Sequence, residues 1–251
     1  TRQWSIPVWW VDIATTPRYD VVGIKPWILN AVADADGDGV AQGIPIPPWA
    51  RPDPMEDHHM CVADWRRGVA YDFLQAEYHG PADWRARAVD IWDLTGPGVH
   101  PPGVPSCRGS GFPLLAGLIL PQELAGGEIR HALALAMPNT TPGWYVYPAS
   151  ATDGHAQEDL VVPEGTRVQL DPSLDLDTLG LSREGKIIAR ALQVYGAYVC
   201  DNAGGFVLYA QQNSATIASD IQGDEIKGVP LDRLRILETG APILQGDDPT
   251  K

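Results

Sequence analysis

Short apolar and polar stretches alternate along most of this chain, and the pattern predicts a protein built mainly of β-strands. The clearest strands are His59 to Asp64, Gly68 to Tyr78 and Trp84 to Leu94, and the turns between them predict an antiparallel meander. The 23 prolines and 26 glycines are spread along the chain, as expected where many short elements need turns.

The other strands are predicted from shorter apolar runs. Gly205 to Ala210 is expected to form a hairpin with Ala197 to Cys200 through a short turn. Loops are expected over residues 33–43 and 96–111, and an extended proline-rich connection over residues 44–54. The remaining predicted strands are Trp4 to Ile13, Tyr19 to Leu29, Gly127 to Met137, Thr166 to Leu170, and a short element from Leu231 to Leu237.

Helical periodicity is strongest between Ser182 and Tyr195. Apolar residues recur there at the spacing of one helix face, Ser182 is a suitable N-cap, and Gly196 is a suitable stop. A short helix is also predicted at Phe112 to Leu120, followed by one helical turn at Pro121 to Leu124. The apolar face of the long helix contains Ile187, Ile188, Ala191, Leu192 and Tyr195.

Together these elements predict a single, mostly β domain. We expect an antiparallel β-sandwich resembling a jelly roll, with one amphipathic helix packed on it. Of the 251 residues, 1–54 would contribute N-terminal strands and a proline-rich extension. Residues 55–237 would form the main body and residues 238–251 a tail.

The net charge of the chain disfavours some classes of binding partner. There are 32 acidic residues and 18 basic ones, which gives a formal net charge of −14. A strongly acidic surface repels nucleic-acid phosphates and anionic lipids, so neither is an expected partner. No apolar run reaches the roughly 18 residues that a membrane-spanning helix requires.

The three cysteines, Cys61, Cys107 and Cys200, show no CxxC spacing, so a thiolate zinc site is not expected. Cys107 could form a disulfide with either of the other two cysteines. The alternative is that all three are buried free thiols that pack as small apolar residues.

The segment around His59 carries the densest group of chemically active side chains. In a strand beginning at His59, His58 points away, whereas Asp57 and His59 share one side. A carboxylate beside an imidazole raises the imidazole pKa and fixes its tautomer, which suits a general acid or base. The alternative is a loop-capping histidine with Asp57 as its partner. His131, in another apolar run, is either a second catalytic imidazole or a buried, hydrogen-bonded residue.

Four other polar residues are candidates for the same site. Asp72 lies in an aromatic strand and must have a partner or line a cleft, because an unpaired buried charge is costly. Arg108 and Ser110 in one loop, and Asp153 in another, could close over a substrate. Turn chemistry alone would also account for these loop residues.

The run Asp34-Ala35-Asp36-Gly37-Asp38-Gly39 matches the first half of a calcium-binding loop. The twelfth position of such a loop needs a glutamate, but here it is Pro45. A solvated turn is therefore the alternative. Calcium bound by Asp34, Asp36 and Asp38 is possible, and no cofactor is required by any other pattern.

Several segments of the chain form a recognisable set. They are His131-Ala132-Leu133, Tyr147-Pro148-Ala149 with Thr152-Asp153-Gly154, Pro163 to Pro172, and Ala189 to Gly196 with Asp201-Asn202. Together they resemble a group of secreted, largely uncharacterised bacterial β-sandwich proteins, some of them attached to carbohydrate-binding modules. The resemblance covers residues 55–237 and implies an extracellular location and polysaccharide chemistry.

Three functions are compatible with these observations. The first is a secreted enzyme that hydrolyses glycosidic bonds of a polysaccharide with carboxylate and histidine acid–base groups. Its candidate catalytic residues are Asp57, His59, Asp72, His131 and Asp153, and its candidate substrate-binding residues are Arg108, Ser110 and Tyr198.

The second is a polysaccharide lyase, which cleaves by β-elimination. A histidine or tyrosine, with His131 and Tyr198 as candidates, would remove a proton next to a uronate carboxylate, and a cation such as Arg108 would neutralise the charge. The net charge of −14 disfavours its polyanionic substrates. The third is a non-catalytic glycan-binding module, in which some of the nine tryptophans would stack on sugar rings.

Overall fold

The computed structural model describes residues 5–24, 33–34, 36–102, 104, 106–157, 161–212 and 221–245. Within these residues the protein is mostly β, with four sheets and two α-helices, which confirms the predicted class. No helix in the described ranges is long and apolar enough to cross a membrane.

The first sheet contains the predicted meander. Strands β4 (Met60–Asp64), β5 (Val69–Leu74) and β8 (Ala88–Asp93) form antiparallel pairs in that order. Strand β1 (Val8–Trp10) is added to the free edge of β4 in parallel, so the strand order is β1-β4-β5-β8. The sheet is therefore mixed rather than purely antiparallel.

The N-terminal segment is tied to residues near the other end of the chain. Just before β1, the Ile6 amide donates to the Ala210 carbonyl at 3.1 Å, and the Gln212 amide donates to the Ile6 carbonyl at 2.8 Å. The Ile6 side chain is buried in the core that covers the first sheet. The position of β1 in the first sheet thus depends on contacts with residues 210 and 212, which lie far along the chain from it.

Two of the predicted meander strands are wrong in length. The strand predicted at Gly68 to Tyr78 ends where Gln75 takes a left-handed φ of 50°. The strand predicted at Trp84 to Leu94 consists of β7 (Asp83–Ala86) and β8. Between these breaks, β6 (Glu77–Gly80) and β7 form a hairpin in the second sheet. The chain therefore leaves the first sheet after β5 and returns to it after β7. An alternating pattern of apolar and polar residues does not reveal either of these two points, because it is expected in the strands of both sheets.

In the second sheet, strand β2 (Arg18–Gly23) pairs antiparallel with β3 (Val40–Pro45) and parallel with β7. The strand order of this sheet is β3-β2-β7-β6. The loop predicted at residues 33–43 is thus corrected, because its last residues pair with β2. Position 4 and positions 25–29, which belong to predicted strands, lie outside the described residues.

The first two sheets share one buried apolar cluster, because apolar side chains alternate along their strands. The opposite face of the first sheet is covered by the segment 107–118, so this sheet is buried on both faces. Contributors to the shared cluster include Met60, Val62 and Phe73 from the first sheet and Val21, Ile44 and Trp84 from the second.

The third sheet contains the strands β9 (Leu133–Met137), β11 (Arg167–Leu170), β12 (Ala197–Asn202), β13 (Val207–Leu208) and β14 (Leu234–Ile236). Their order is β13-β9-β12-β11-β14. Strand β9 lies between β12 and β13 and runs parallel to β12, so the hairpin predicted between Ala197–Cys200 and Gly205–Ala210 is wrong. The almost fully buried, apolar β9 suits the centre of a sheet better than the exposed β13 does. A fourth sheet pairs β10 (Trp144–Tyr145) with β15 (Ile243–Leu244).

The long helix α2 (Arg183–Val194) confirms the helical prediction. The Ser182 hydroxyl accepts the Gly185 amide at 3.0 Å, as an N-cap does. Gly196 takes a left-handed φ of 74° just after the helix. The buried face of α2, including Ile188, shares a core with the third sheet.

The helix predicted at Phe112 to Leu120 is wrong, since this segment forms turns. Gly117 takes a left-handed φ of 72°, which a right-handed helix does not contain, and the Arg108 guanidinium binds carbonyl groups that a helix would use. It donates to the carbonyl oxygens of Pro113, Leu114 and Ala116, each at 3.2 Å.

The short helix α1 (Pro121–Gly126) confirms the helical turn predicted at Pro121 to Leu124. Gly127 closes it with a left-handed φ of 82°. The strand predicted at Gly127 to Met137 therefore cannot begin there, and β9 starts only at Leu133.

We predict that Gly165→Ala destabilises the protein by roughly 3 kcal/mol, because a left-handed alanine and a steric clash each cost energy. Gly165 has a φ of 89°, and an added Cβ would overlap the Val146 carbonyl oxygen. Gly180→Ala is the matched control, since its φ is 65° but no atom lies within 4 Å of the added Cβ. Urea denaturation should show a loss of only about 1 kcal/mol there. Equal losses would contradict the clash.

Candidate acid–base site

Three carboxyl groups from distant parts of the chain meet at one point. Asp153, Glu164 and Asp201 each place a carboxylate oxygen within 4.8 Å of the other two. Asp153 is exposed, Asp201 is half-buried and Glu164 is fully buried. Three such groups cannot all be ionised without strong repulsion, so the cluster is expected to hold protons.

A β-bulge directs Asp201 into this cluster. The pairing of β12 with β9 shifts between Val199 and Asp201, which leaves Cys200 as the extra residue. The Tyr209 hydroxyl donates to Asp201 Oδ2 at 2.9 Å, and the Asn202 amide donates to Oδ1 at 3.2 Å. Bulges commonly re-aim a side chain at functional sites, and this one turns Asp201 out of the regular strand alternation.

The segment around Ser110 holds the Asp153 loop in place. The Ser110 carbonyl accepts the Ser150 amide at 2.9 Å, and the Ser110 amide donates to the Cys200 carbonyl at 3.2 Å. At Gly109, an added Cβ would overlap the Asp153 carboxylate. Two residues selected from the sequence, Ser110 and Asp153, are therefore neighbours beside β12, but Ser110 has no exposed surface and supports the loop through its backbone.

Glu164 is the most unusual member of the cluster. Its side chain has no exposed surface, and no residue in the described ranges donates a hydrogen bond to either oxygen. Burial, together with the neighbouring Asp153 carboxylate, raises the pKa of Glu164 to about 10. Glu164 is therefore protonated at neutral pH and is able to donate a hydrogen bond to Asp153.

Asp201 titrates near neutral pH. Burial and the Asp153 carboxylate raise the pKa of Asp201 to about 7, although the positive charge of Arg108 and the Tyr209 hydrogen bond oppose this. A carboxyl group with such a pKa is able both to give and to take a proton under physiological conditions.

Arg108 is buried beside the cluster rather than exposed to a substrate. Only 4% of its surface is exposed, and its N–H groups bind the backbone carbonyls described above. Its guanidinium carbon lies 4.6 Å from the centroid of the Tyr209 ring. Arg108 thus acts on Asp201 through its charge and through Tyr209.

His59 contacts the first residue of the segment 107–118. Its Nε2 atom is 2.9 Å from the Cys107 carbonyl oxygen, so this nitrogen carries the proton. Burial lowers the pKa of His59, and the Asp57 carboxylate only partly opposes that effect. Asp57 does raise this pKa, as expected, but desolvation is the larger effect and the pKa of His59 is lowered overall.

Asp72 has the partner that its position requires. It is fully buried, and the Leu114 amide donates to its Oδ2 atom at 2.7 Å. Burial raises the pKa of Asp72 to about 7, and Asp90, directly opposite on β8, contributes to that increase. Asp90 in turn lies 2.9 Å from His100 Nε2, and the His100 ring stacks on Trp92 at 3.8 Å. These groups form a second buried acidic region under the same segment.

His131 pairs with a different element. Its Nε2 atom lies 2.9 Å from Glu123 Oε1 on α1, and this hydrogen bond raises the pKa of His131. His131 is half-buried, so it is not a core residue, and it does not share its partner with His59. Tyr198, the last substrate-binding candidate, packs edge-on against Phe112 at 6.2 Å.

The three cysteines are all buried free thiols, so none of the possible disulfides forms. Burial raises the pKa of each thiol, which keeps it protonated and unreactive.

Two tryptophans line a separate surface cleft of about 300 Å³. Trp65 is 76% exposed, and its ring meets Trp10 edge-on at a centroid distance of 6.4 Å. Asp12 and Arg66 add polar groups to the lining. Trp84, in contrast, is buried in the core, so only part of the tryptophan set is accessible.

Sequence reasoning missed Glu164 and Asp201. Asp201 follows an apolar strand, which is a usual position for a functional carboxylate, but the incorrect hairpin placed it in a turn. Glu164 lies in a Pro-Glu-Gly-Thr segment typical of an exposed loop, and no local pattern signals its burial.

No family model, curated protein or solved structure matches this chain.

We predict that Glu164→Gln makes the protein more stable than the wild type at pH 8. The raised pKa means that the folded state holds this proton more tightly than the unfolded chain does. Stability is therefore full below the unfolded pKa near 4.5 and falls as the pH rises towards 10. The loss is at most about 1.4 kcal/mol per pH unit, and glutamine removes it.

Urea denaturation at several pH values from 5 to 8 measures this slope. Glu128→Gln is the control, since Glu128 is exposed and paired only with Arg130, and it should keep the wild-type slope. An unchanged slope in Glu164→Gln would show that Glu164 is not the buried proton carrier.

Proposed function

We propose that this protein is a secreted hydrolase that cleaves glycosidic bonds of a polysaccharide, with Asp153 and Asp201 as the reacting carboxyl groups. One observation carries the proposal: a carboxyl group with a pKa of about 7 lies within 4.8 Å of an exposed carboxylate. Glycoside hydrolysis usually needs one carboxyl group that gives a proton and a second that attacks or activates water.

The environment of each residue suggests its role. Asp201 is the general acid, because a catalytic acid works best when its pKa lies near the working pH. Asp153 is the nucleophile, since it is the exposed member of the cluster. Glu164 is a positioning residue that, when protonated, is able to donate a hydrogen bond to Asp153, and Tyr209 orients Asp201.

The short separation favours retention of the anomeric configuration. Inverting enzymes hold their carboxyl groups roughly 6.5–9.5 Å apart to admit water, whereas retaining enzymes hold them roughly 5–5.5 Å apart. Asp153 and Asp201 each have a carboxylate oxygen within 4.8 Å of the other residue's, which favours the second class. Asp153 would bond to the anomeric carbon as the glycosidic C–O bond breaks, and the leaving oxygen would take the Asp201 proton. Water would then cleave the glycosyl–Asp153 ester, with Asp201 as the base.

The proposal extends to architecture, location and substrate. The buried cluster shared by the first two sheets supports a sandwich of jelly-roll type. The resemblance to secreted bacterial proteins supports an extracellular location and a glycan substrate. The cleft at Trp10 and Trp65 offers an aromatic platform on which a sugar ring of the same polymer would stack.

We predict that digestion of a pooled panel of neutral and acidic polysaccharides in ¹⁸O-labelled water gives saturated, labelled oligosaccharides. Mass spectrometry detects the label, and NMR during the first minutes should show the retained anomer. Unsaturated, unlabelled products would instead establish a lyase and direct attention to His131 and Tyr198. Binding of a panel glycan without cleavage would establish a binding module.

We predict that Asp153→Asn and Asp201→Asn each lower kcat by about 10²–10⁴-fold, the usual contribution of such groups. Glu164→Gln should lose less than about tenfold, because the glutamine amide, like the protonated carboxyl group, is able to donate a hydrogen bond to Asp153. Asp83→Asn is the control, since Asp83 forms an exposed ion pair with Arg85 away from the cluster residues named above. Full activity in Asp153→Asn or Asp201→Asn would reject these roles.

The wild-type rate should fall as the pH rises through about 7, because Asp201 then loses the proton that it must give. A rate that instead rises through this range would identify Asp201 as a base.

A further inference from the structure

A second acidic cluster lies in the loop before β3. Asp34, Asp36 and Asp38 each place a carboxylate oxygen within 4.8 Å of the other two. Acidic loops are common on protein surfaces, and two of these residues are exposed, so the cluster alone identifies no ligand. The position of Asp34 supplies a second observation.

Asp34 is buried, with 8% of its surface exposed. The Gly39 amide donates to its Oδ2 atom at 3.0 Å, whereas its buried Oδ1 atom has no hydrogen-bond partner among the described residues. A buried carboxylate oxygen without a donor is costly, and a bound cation removes that cost. The preceding residue, Ala33, packs in the core shared by the first two sheets, so the Asp34 backbone is anchored.

Strand β3 holds the other two carboxylates without neutralising them. The Gln42 side-chain amide donates to Asp36 Oδ2 at 3.1 Å, and the Val40 amide donates to Asp38 Oδ1 at 2.8 Å. In the described ranges, none of the ion pairs involves any of the three carboxylates. Among the described residues, the donors that bring these negative charges together are neutral.

We propose that Asp34, Asp36 and Asp38 bind one Ca²⁺ ion. Three carboxylate ligands at alternate positions match the oxygen preference of calcium, and backbone carbonyls or water would complete its coordination. The glutamate that closes an EF-hand loop is replaced by Pro45, so the affinity should be modest, with a Kd on the order of 10⁻⁴–10⁻³ M. The ion would clamp the start of β3 against β2, where the Gly23 amide donates to the Gly39 carbonyl at 2.8 Å.

This proposal is independent of the proposed hydrolysis, and its test needs no glycan. Isothermal titration of CaCl₂ into the chelator-treated full chain should show one Ca²⁺ per chain. The double variant Asp36→Asn/Asp38→Asn should bind at least about tenfold more weakly, since it removes two charged ligands without disturbing the core. Asp34→Asn should lose binding as well. Because Asp34 is buried, the exposed double variant is the decisive one.

Asp153→Asn is the matched control, because it alters the other carboxyl cluster by the same chemical change. It should bind calcium like the wild type. The absence of binding up to 10 mM CaCl₂, roughly ten times the weakest expected Kd, would overturn the proposal. Loss of binding in Asp153→Asn with normal binding in the double variant would also overturn it, since the ion would then lie at the other cluster.

Discussion

The buried guanidinium of Arg108 connects the first sheet, the third sheet and the candidate site. A charged group is tolerated in a protein interior only when hydrogen bonds and opposite charges replace the water that it loses. Arg108 meets this condition by binding three backbone carbonyls and by lying over the ring of Tyr209. The same contacts fix the segment 107–118 as a set of turns between the two sheets. Removal of this side chain would leave both the carbonyls and the nearby carboxyl groups without their cation.

One cation therefore serves two acidic regions. The charge of Arg108 favours the ionised form of Asp72 on one side and of Asp201 on the other, although burial raises both pKa values to about 7. Buried carboxyl groups on both sides of a single arginine are expensive to keep, and apolar residues in their place would pack more stably. Such costly arrangements occur preferentially where a protein needs titratable groups, which is consistent with a catalytic role here.

Local patterns in the sequence predicted the elements better than their arrangement. The helix α2 was predictable because its cap, its apolar stripe and its stop all lie within one short segment. The position of β9 between β12 and β13 was not, because pairing partners are chosen by burial across the whole sheet rather than by nearby turns. The site shows the same division: Asp153 was recognised from its loop, whereas Asp201 and Glu164 join it only through the order of the third sheet.

The hydrogen bonds between Ile6 and the segment at Ala210 and Gln212 have a consequence for how the chain folds during synthesis. A ribosome adds about 5–20 residues per second, so the first strand has to wait roughly ten seconds or more for these partners. During that interval an apolar N-terminal segment has no native partner on one side and is open to pairing with other chains. Contacts this distant in sequence also slow folding, because a long loop must close before they form. The segment at Ile6 is thus expected to need protection until the residues around Ala210 and Gln212 have been made.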